Sequence, residues 1–549
     1  MIITQGPKGS QENALASVQS AMAEMLSGTL KSSVHLLASL DPGAGKTEAL
    51  CSFLRSWKAD HFSPAGGALV VLATHKEIQS CIDRAGLETQ DFAVLIHKNA
   101  PLASIGSTDP AAAPVLFTTR EMLHRRCQGK TFAETSCYYY LGRPRTLKVW
   151  DEAFMPAKDV TLRKDLIVQP LAELRLRDFP AARTLEALGD SLSADRIGQA
   201  THVALAVSSA PKALQTHLGL KAGDHLSALQ SLAGREGVVV DCNGLGLHLA
   251  GAVMPLPEDF APCLILDASG RVRETYMAME TAGTLKRLPG FTAGYSGLRV
   301  RHWNRAASRS TLKDDEARRE VLSAVSDIIN EGDDAEPWLI IHAQDRDSYS
   351  IVEELRGLTI NPERLAFLHW GSHHGTNEYR HIRRVVVLGL WRQPSPTYSA
   401  LHIAAGGPLE TAAVRETVEA IKAGEHRHNL LQAVCRSSIR EGKPCEVYIV
   451  DKLKGAAGLL TETFPGAVVS SWNPEGLKLP TAALRLSMAI EEGLRASGGG
   501  TVTKRTVMDL YGASGAAFRK TVTSPAMVDW MGLRGLRVAT RYFEDLRAA

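Results

Sequence analysis

The chain has 549 residues, which at roughly 150 residues per domain predicts three or four domains. Apolar residues make up 44% and charged residues 22%, ordinary values for a globular chain, so disorder throughout is excluded. Lys plus Arg (62) against Asp plus Glu (59) leaves +3, which excludes a uniformly basic, histone-like binder but leaves room for a local basic groove. No run approaches the length of uncharged apolar residues that a membrane span needs, and no secretory leader is visible at the start. Eight cysteines lie scattered with no C-x-x-C pair, so a reduced, cytoplasmic setting is expected.

In chain order, Val34 to Leu40 is a short apolar segment broken by Asp-Pro-Gly-Ala-Gly, and a helix is predicted from Lys46. Ala68–Ala73, Val115–Phe117 and Leu147–Trp150 are further strand candidates, separated by helical or loop-like sequence. Short buried strands alternating with helices predict an α/β fold with a parallel sheet. Residues 155–260 read as mostly helical and rich in Arg, Leu and Ala. A polar helix, Leu312–Asn330, runs into a linker-like EGDDAEP, after which strands are predicted at Trp338–Ile341, Arg384–Leu390 and Cys445–Val450. Ser497-Gly-Gly-Gly500 marks a break before a small C-terminal piece.

The strongest motif is Leu40-Asp-Pro-Gly-Ala-Gly-Lys-Thr47, between strand and helix. Small residues (Pro42, Gly43, Ala44 and Gly45) let backbone N–H groups approach a phosphate chain, and the following helix aims its N-terminus at that charge. Lys46 would neutralise phosphates and the Thr47 hydroxyl would hold Mg²⁺. The first position, usually Gly, is Leu40. About 100 residues on, Trp150-Asp151-Glu152-Ala153 puts acids at the C-terminal end of a strand. Asp151 suits Mg²⁺ held through water, and Glu152 suits polarisation of an attacking water. Gln432, Arg436 and Arg440 follow at intervals of four, which on a helix share one face; two guanidinium groups there suit a γ-phosphate. Gly371-Ser-His-His-Gly-Thr-Asn377 is a polar loop able to meet a phosphate or sugar.

Taken together, these segments resemble a superfamily 2 helicase of the DEAD/DEAH-like kind. PGAGKT resembles motif I and WDEA motif II. VVLATHKE, with Thr74 and Lys76, is similar to motif Ia, and VLFTTREML, with Thr118, Thr119 and Arg120, to Ib. LILDAS, with Asp267 and Ser269, stands where motif III belongs. WLIIHAQ resembles motif IV, GTNEY (Gly375, Thr376, Asn377) motif V, and QAVCRSSIR motif VI. The resemblance spans residues 35–450. It implies two RecA-like P-loop NTPase lobes with ATP and Mg²⁺ between them, motif VI arginines completing the site, and motifs Ia, Ib, IV and V tracking a nucleic-acid strand. It also implies an adenine-reading glutamine before the loop; Gln11 and Gln19 both qualify, and helix context and distance favour Gln19.

The predicted plan is lobe 1 over 1–305, with a helical insertion at about 155–260; lobe 2 over 306–475; and a small C-terminal domain over 476–549. The insertion is read either as a strand-separating arch or platform for a protein partner, or as a stabilising elaboration. Cys51, Cys81, Cys127 and Cys137 fall where iron–sulfur helicases carry a cluster, but without a close pair they read as buried structural thiols. Thr503–Lys520 reads as helix, Gly turn, helix, a helix-turn-helix or winged-helix-like pattern with Arg519 and Lys520 available to DNA. The expected function is an ATP-hydrolysing helicase or translocase on nucleic acid, DNA favoured over RNA. The alternatives are a nucleotide-driven protein switch and a duplex translocase that separates no strands.

Overall fold

The computed structural model describes residues 8–546 other than 98, 155–157, 206–226, 243–245, 255, 346–348, 373–377, 408–410, 475–480 and 499. The chain divides into two units, one of Met1–Gly294 with Trp391–Ala433 and one of Tyr295–Leu390 with Val434–Ala549.

Strands such as ALVVL and VLFTT carry no polar alternation because both of their faces are buried, the pattern of a parallel sheet covered by helices. In the first unit α1 (Lys8–Ser27) precedes β1 (His35–Ser39), α2 (Lys46–Ala59), β2 (Ala68–Leu72), α3 (His75–Ala85), β3 (Phe92–Leu95), β4 (Val115–Thr119) and α4 (Arg120–Cys127). A minimal hairpin, β5 (Tyr139–Tyr140) and β6 (Arg143–Pro144), leads to β7 (Leu147–Asp151). With β12 (Leu264–Asp267) and β13 (Leu285–Arg287) these build a seven-stranded sheet in the order β13-β1-β12-β7-β2-β4-β3, parallel throughout. Ser39 pairs in register with Asp267, and Leu266 with Asp151, so the carboxyl ends of β1, β12 and β7 come level. Ligands of open parallel sheets bind beyond that edge.

The segment between β7 and β12 departs from the helical expectation. β8 (Lys158–Arg163), α5 (Lys164–Val168), α6 (Leu171–Arg177), α7 (Phe179–Ser191), β9 (Ala200–His202), β10 (Glu236–Cys242) and β11 (Gly246–Val253) form a four-stranded antiparallel sheet, β8-β11-β10-β9, with helices. Val160, Leu162, Val239 and Leu249 from the strands share one apolar cluster with Ile167, Leu174 and Leu185 from the helices. The β-branched valines there suit a pleated, half-buried face.

The second unit holds β14 (Leu298–Trp303), α9 (Asp315–Asn330), β15 (Trp338–His342), α10 (Ile351–Leu358), β16 (Leu365–His369) and β17 (Arg384–Leu388). The following pair, α11 (Ser395–Ala404) and α12 (Thr411–Val434), expected in lobe 2, belongs to the first unit instead. There α11 lies against β8, β10 and β11, with Thr397 Oγ1 donating to Asp159 at 3.0 Å. The Arg427–Glu274 ion pair (3.1 Å) ties α12 to α8 (Glu274–Thr281). The second unit resumes with β18 (Cys445–Val450), α13 (Ala456–Thr463) and β19 (Val468–Ser471), giving a six-stranded parallel sheet in the order β16-β15-β17-β18-β14-β19. The fold is therefore α/β with two parallel sheets.

The unit ends in a small module of α14 (Thr481–Ala496), β20 (Thr501–Thr503), α15 (Lys504–Tyr511), α16 (Gly515–Val522), α17 (Pro525–Arg534), β21 (Leu536–Val538) and β22 (Tyr542–Asp545), around its own apolar cluster. Among the described residues no helix is long and apolar enough to cross a membrane.

Candidate nucleotide site

Gly43 and Gly45 sit at φ +86° and +93°, a region L side chains rarely enter, and they turn the chain so that α2 begins at Lys46. No side chain caps α2, so its first-turn N–H groups suit an anion. The loop is braced by the buried Asp41, which the sequence reading did not single out. Asp41 pairs with Arg271 at 2.7 Å and accepts from the Ala293 N–H at 3.1 Å. Lys46 Nζ lies over the loop and donates to the carbonyls of Leu40 and Asp41. The glutamine that reaches the loop is Gln11: it is buried and its Nε2 donates to the Ala44 carbonyl at 3.2 Å. The favoured Gln19 is exposed, because the face of α1 that packs inward carries Gln11, Ala14 and Val18.

The Thr47 hydroxyl donates to Asp151 Oδ2 at 3.1 Å, joining loop and acid across 104 residues of sequence. Burial, and then the charges of Glu152 and Glu77, push Asp151 up to about 7 against the pull of Lys46 and Thr47. Burial and the Glu152 charge push Glu77 up as well. This crowding of carboxylates and a hydroxyl is a hard-oxygen set that suits Mg²⁺, with Thr47 and Asp151 as the residues that would hold it. Glu152 stands at φ +71°, a strained setting for a glutamate, held by its N–H donating to the Leu266 carbonyl at 3.0 Å.

Arg120, expected on the strand path, turns into this site. It donates to the Asp151 carbonyl at 2.7 Å, comes within 4.0 Å of Glu152 Oε2, and covers the Trp150 ring. Thr118 is fully buried and donates to the Leu95 carbonyl (2.7 Å), so it cannot meet a strand. Thr119 caps α4 through Met122 N–H, and Thr74 caps α3 through Glu77 N–H, roles natural to threonine at a strand-to-helix turn. Thr74 and Lys76 remain exposed.

Asp267 ends the neighbouring strand inside a closed network. It accepts from Ser269 Oγ (2.6 Å) and Tyr276 Oη (2.7 Å), with Arg273 at 3.5 Å. Arg273 pairs with Glu425 at 2.8 Å, and His428 Nδ1 lies 2.6 Å from Ser269 Oγ. Tyr276 Oη also accepts from the Phe154 N–H at 2.9 Å, linking this network to the chain just after Glu152. Burial pushes Asp267 up, but His428 and Arg273, with the bonds from Ser269 and Tyr276, outweigh it and hold the carboxyl well below its usual range.

The basic helical face is corrected. α12 stops at Val434, where Ser437 donates from both its hydroxyl (2.7 Å) and its N–H (3.1 Å) to the Val434 carbonyl. Such serines compete with the helix for its own backbone groups. Gln432 is buried on α12, Arg436 is buried in the turn beyond it, and Arg440 lies on the short 3₁₀ helix Ser438–Glu441, so the three do not share a helical face. Gly375, Thr376 and Asn377 lie outside the described residues. Arg519 and Lys520 are exposed on α16. Cys51, Cys81 and Cys127 are buried and Cys137 half-buried. A cavity of about 1580 Å³ in the first unit is lined by His35, His124, Lys158 and Arg235 and by no phosphate-loop residue. His35 begins β1, so this cavity belongs to the other edge of the sheet.

The first unit is thus a parallel α/β sheet with a phosphate loop, a hydroxyl and an acid pair at its carboxyl edge. No protein-family model and no curated protein matches the chain. Solved structures to which it is similar include the following three. S. tokodaii Xpd4 shares 13% identity over 83% of this chain and 99% of that one, with a TM-score of 0.45. S. cerevisiae Dbp5 bound to RNA and ADP BeF3 shares 9% over 85% and 94%, with a TM-score of 0.36. The DUF1998 helicase MrfA bound to DNA shares 10% over 99% and 60%, with a TM-score of 0.34. At such identities, function has to come from this chain's own side chains.

Proposed function

We propose that the chain is an ATP-dependent nucleic-acid helicase or translocase, with DNA the favoured track. The observation that carries the ATPase part is the junction of Thr47 with Asp151 beneath Lys46, with Glu152 held beside it by Arg120. Lys46 and the N–H groups of α2 would bind the phosphates, Thr47 and Asp151 would hold Mg²⁺, and Glu152 would orient and deprotonate the attacking water. Mg²⁺, once bound, would neutralise charge on the phosphates. Arg436 and Arg440 are the arginines proposed to stabilise the transferring phosphoryl group.

The nucleic-acid part is supported by the motif order and by the exposed Thr74 and Lys76 at the start of α3. ATP turnover measured alone and with single- and double-stranded DNA and RNA tests it. Stimulation by nucleic acid supports the motor, and DNA above RNA supports the preference. Equal turnover in every condition would make the chain a nucleotide-driven switch instead. Strand displacement run beside triplex disruption separates a helicase from a duplex translocase.

A further inference from the structure

We propose that the C-terminal module binds the backbone of duplex DNA, without sequence preference, through the outer face of α16 and the turn between β21 and β22. The contact goes beyond the motor reading and needs no ATP hydrolysis.

The module's order is helix, strand, helix, turn, two helices and a hairpin, with β20-β22-β21 closing a three-stranded antiparallel sheet. Gly512, at φ +64°, ends α15, and the Ser514 hydroxyl starts α16 by accepting from the Ala517 N–H. That tight corner sets two helices at an angle, as in a helix-turn-helix. The two helices after it have different duties. α17 docks the module: it packs against β19 and β21, and Asp529 accepts from Ser471 Oγ at 3.5 Å. α16 buries Phe518 and Val522 and turns Arg519 and Lys520 outward.

A second pair of cations stands at the hairpin. The Lys504 N–H donates to the Arg541 carbonyl at 2.9 Å, which brings Arg541, on the turn before β22, beside the first turn of α15 and the exposed Arg505. Among the described residues no carboxylate pairs with Arg505, Arg519, Lys520 or Arg541, whereas Arg537 is neutralised by Glu544 at 2.5 Å. Cations left free of acids on a helix and at a hairpin turn of one small module suit contacts to phosphates.

Three features select the ligand. Single-strand binders stack successive bases on several exposed rings, whereas Tyr511, Phe518 and Phe543 are buried in the module's core and Tyr542, 37% exposed, is the one exposed ring among the module's described residues. The major groove of A-form RNA is too deep and narrow for a helix, while that of B-DNA admits one. Gly515 and Ala516, early on α16, offer no hydrogen-bonding side chain to base edges, so the contacts are to phosphates and the binding is indifferent to sequence.

The test uses the full chain without nucleotide. Binding of two unrelated fluorescent DNA duplexes, one matching single strand and one RNA duplex is measured across salt concentrations. The variants are Arg519→Ala/Lys520→Ala, Arg505→Ala/Arg541→Ala and, as a control that stops ATP use, Lys46→Ala. Each double variant should lose on the order of tenfold in duplex affinity at low salt, and its log–log salt slope should fall by about 2. Both duplexes should respond alike, the single strand should keep its affinity, and Lys46→Ala should bind duplex as wild type does. Unchanged duplex affinity and slope in both double variants, at wild-type melting temperature, would overturn the proposal. An equal loss on the single strand, or wild-type binding as tight to the RNA duplex as to DNA, would overturn it too.

Discussion

Asp151 and Asp267 end adjacent strands, one residue apart in register and both buried, yet their surroundings push them in opposite directions. Asp267 is surrounded by partners: Arg273, His428, Ser269 and Tyr276 together offset the cost of burying its charge. Asp151 receives one hydroxyl from Thr47 and faces the carboxylates of Glu77 and Glu152. Two aspartates at one sheet edge thus serve different ends. The compensated one fastens α8 and α12 to the sheet, and the uncompensated one is where a cation would be held. Structural carboxylates are satisfied within the chain, whereas ligand-binding carboxylates are left short.

The sharpest way to break this contrast is to neutralise each acid in turn. Asp151→Asn should remove ATP turnover, on the order of 10²–10³-fold or more, because the electrostatic preorganisation at the phosphates is lost. It should leave the melting temperature unchanged or raised, since an amide relieves like-charge crowding. Asp267→Asn should do the reverse to stability: it leaves Ser269, Tyr276 and Arg273 without their shared carboxylate, Arg273 keeping Glu425, and should cost about 1–3 kcal/mol. Thermal melts run beside turnover assays read both effects. Destabilisation of equal size in the two variants would dissolve the distinction.

Arg120 sharpens the same comparison from the catalytic side. If it positions Glu152, Arg120→Ala should lower turnover in the absence of nucleic acid by roughly 10–100-fold, within the range for a disturbed general base, and leave strand affinity unchanged. Lowered strand affinity with normal basal turnover would return Arg120 to the strand path. A smaller effect is expected before the loop. Gln11→Ala should loosen nucleotide binding severalfold, the worth of about 1 kcal/mol for one buried hydrogen bond. Gln19→Ala should bind nucleotide as wild type does, and titration of a fluorescent ATP analogue compares the two.

Local features were legible in the sequence. The apolar run of β2, the mostly apolar β4, β7 and β18, the glycines of the loop, and the acids ending β7 each depend on a few consecutive residues. What the sequence reading missed depends on neighbours far along the chain. Gln11 and Gln19 differ only in which face of α1 packs inward. Arg120 follows two threonines in a segment similar to a strand-binding motif, and only the fold brings it against Asp151. The end of α12 was legible in part, since Ser437 and Ser438 follow Arg436 and serines favour helix ends. The inserted sheet also left a trace: Asn243-Gly244-Leu245 separates EGVVVDC from GLHLAGAV, a short Gly-containing connection between two runs of the kind that marks a hairpin. The assignment of α11 and α12 to the first unit left none, because it rests on contacts with strands more than 140 residues away in sequence.

The role proposed for the acids ending β7 is ATP hydrolysis. It is tested most directly by Glu152→Gln measured for Mg²⁺-ATP binding and turnover on the same preparation. Retained ATP affinity is expected with turnover reduced on the order of 10²–10⁴-fold, because Thr47 and Asp151 survive while water activation does not. Turnover at the wild-type rate would contradict it.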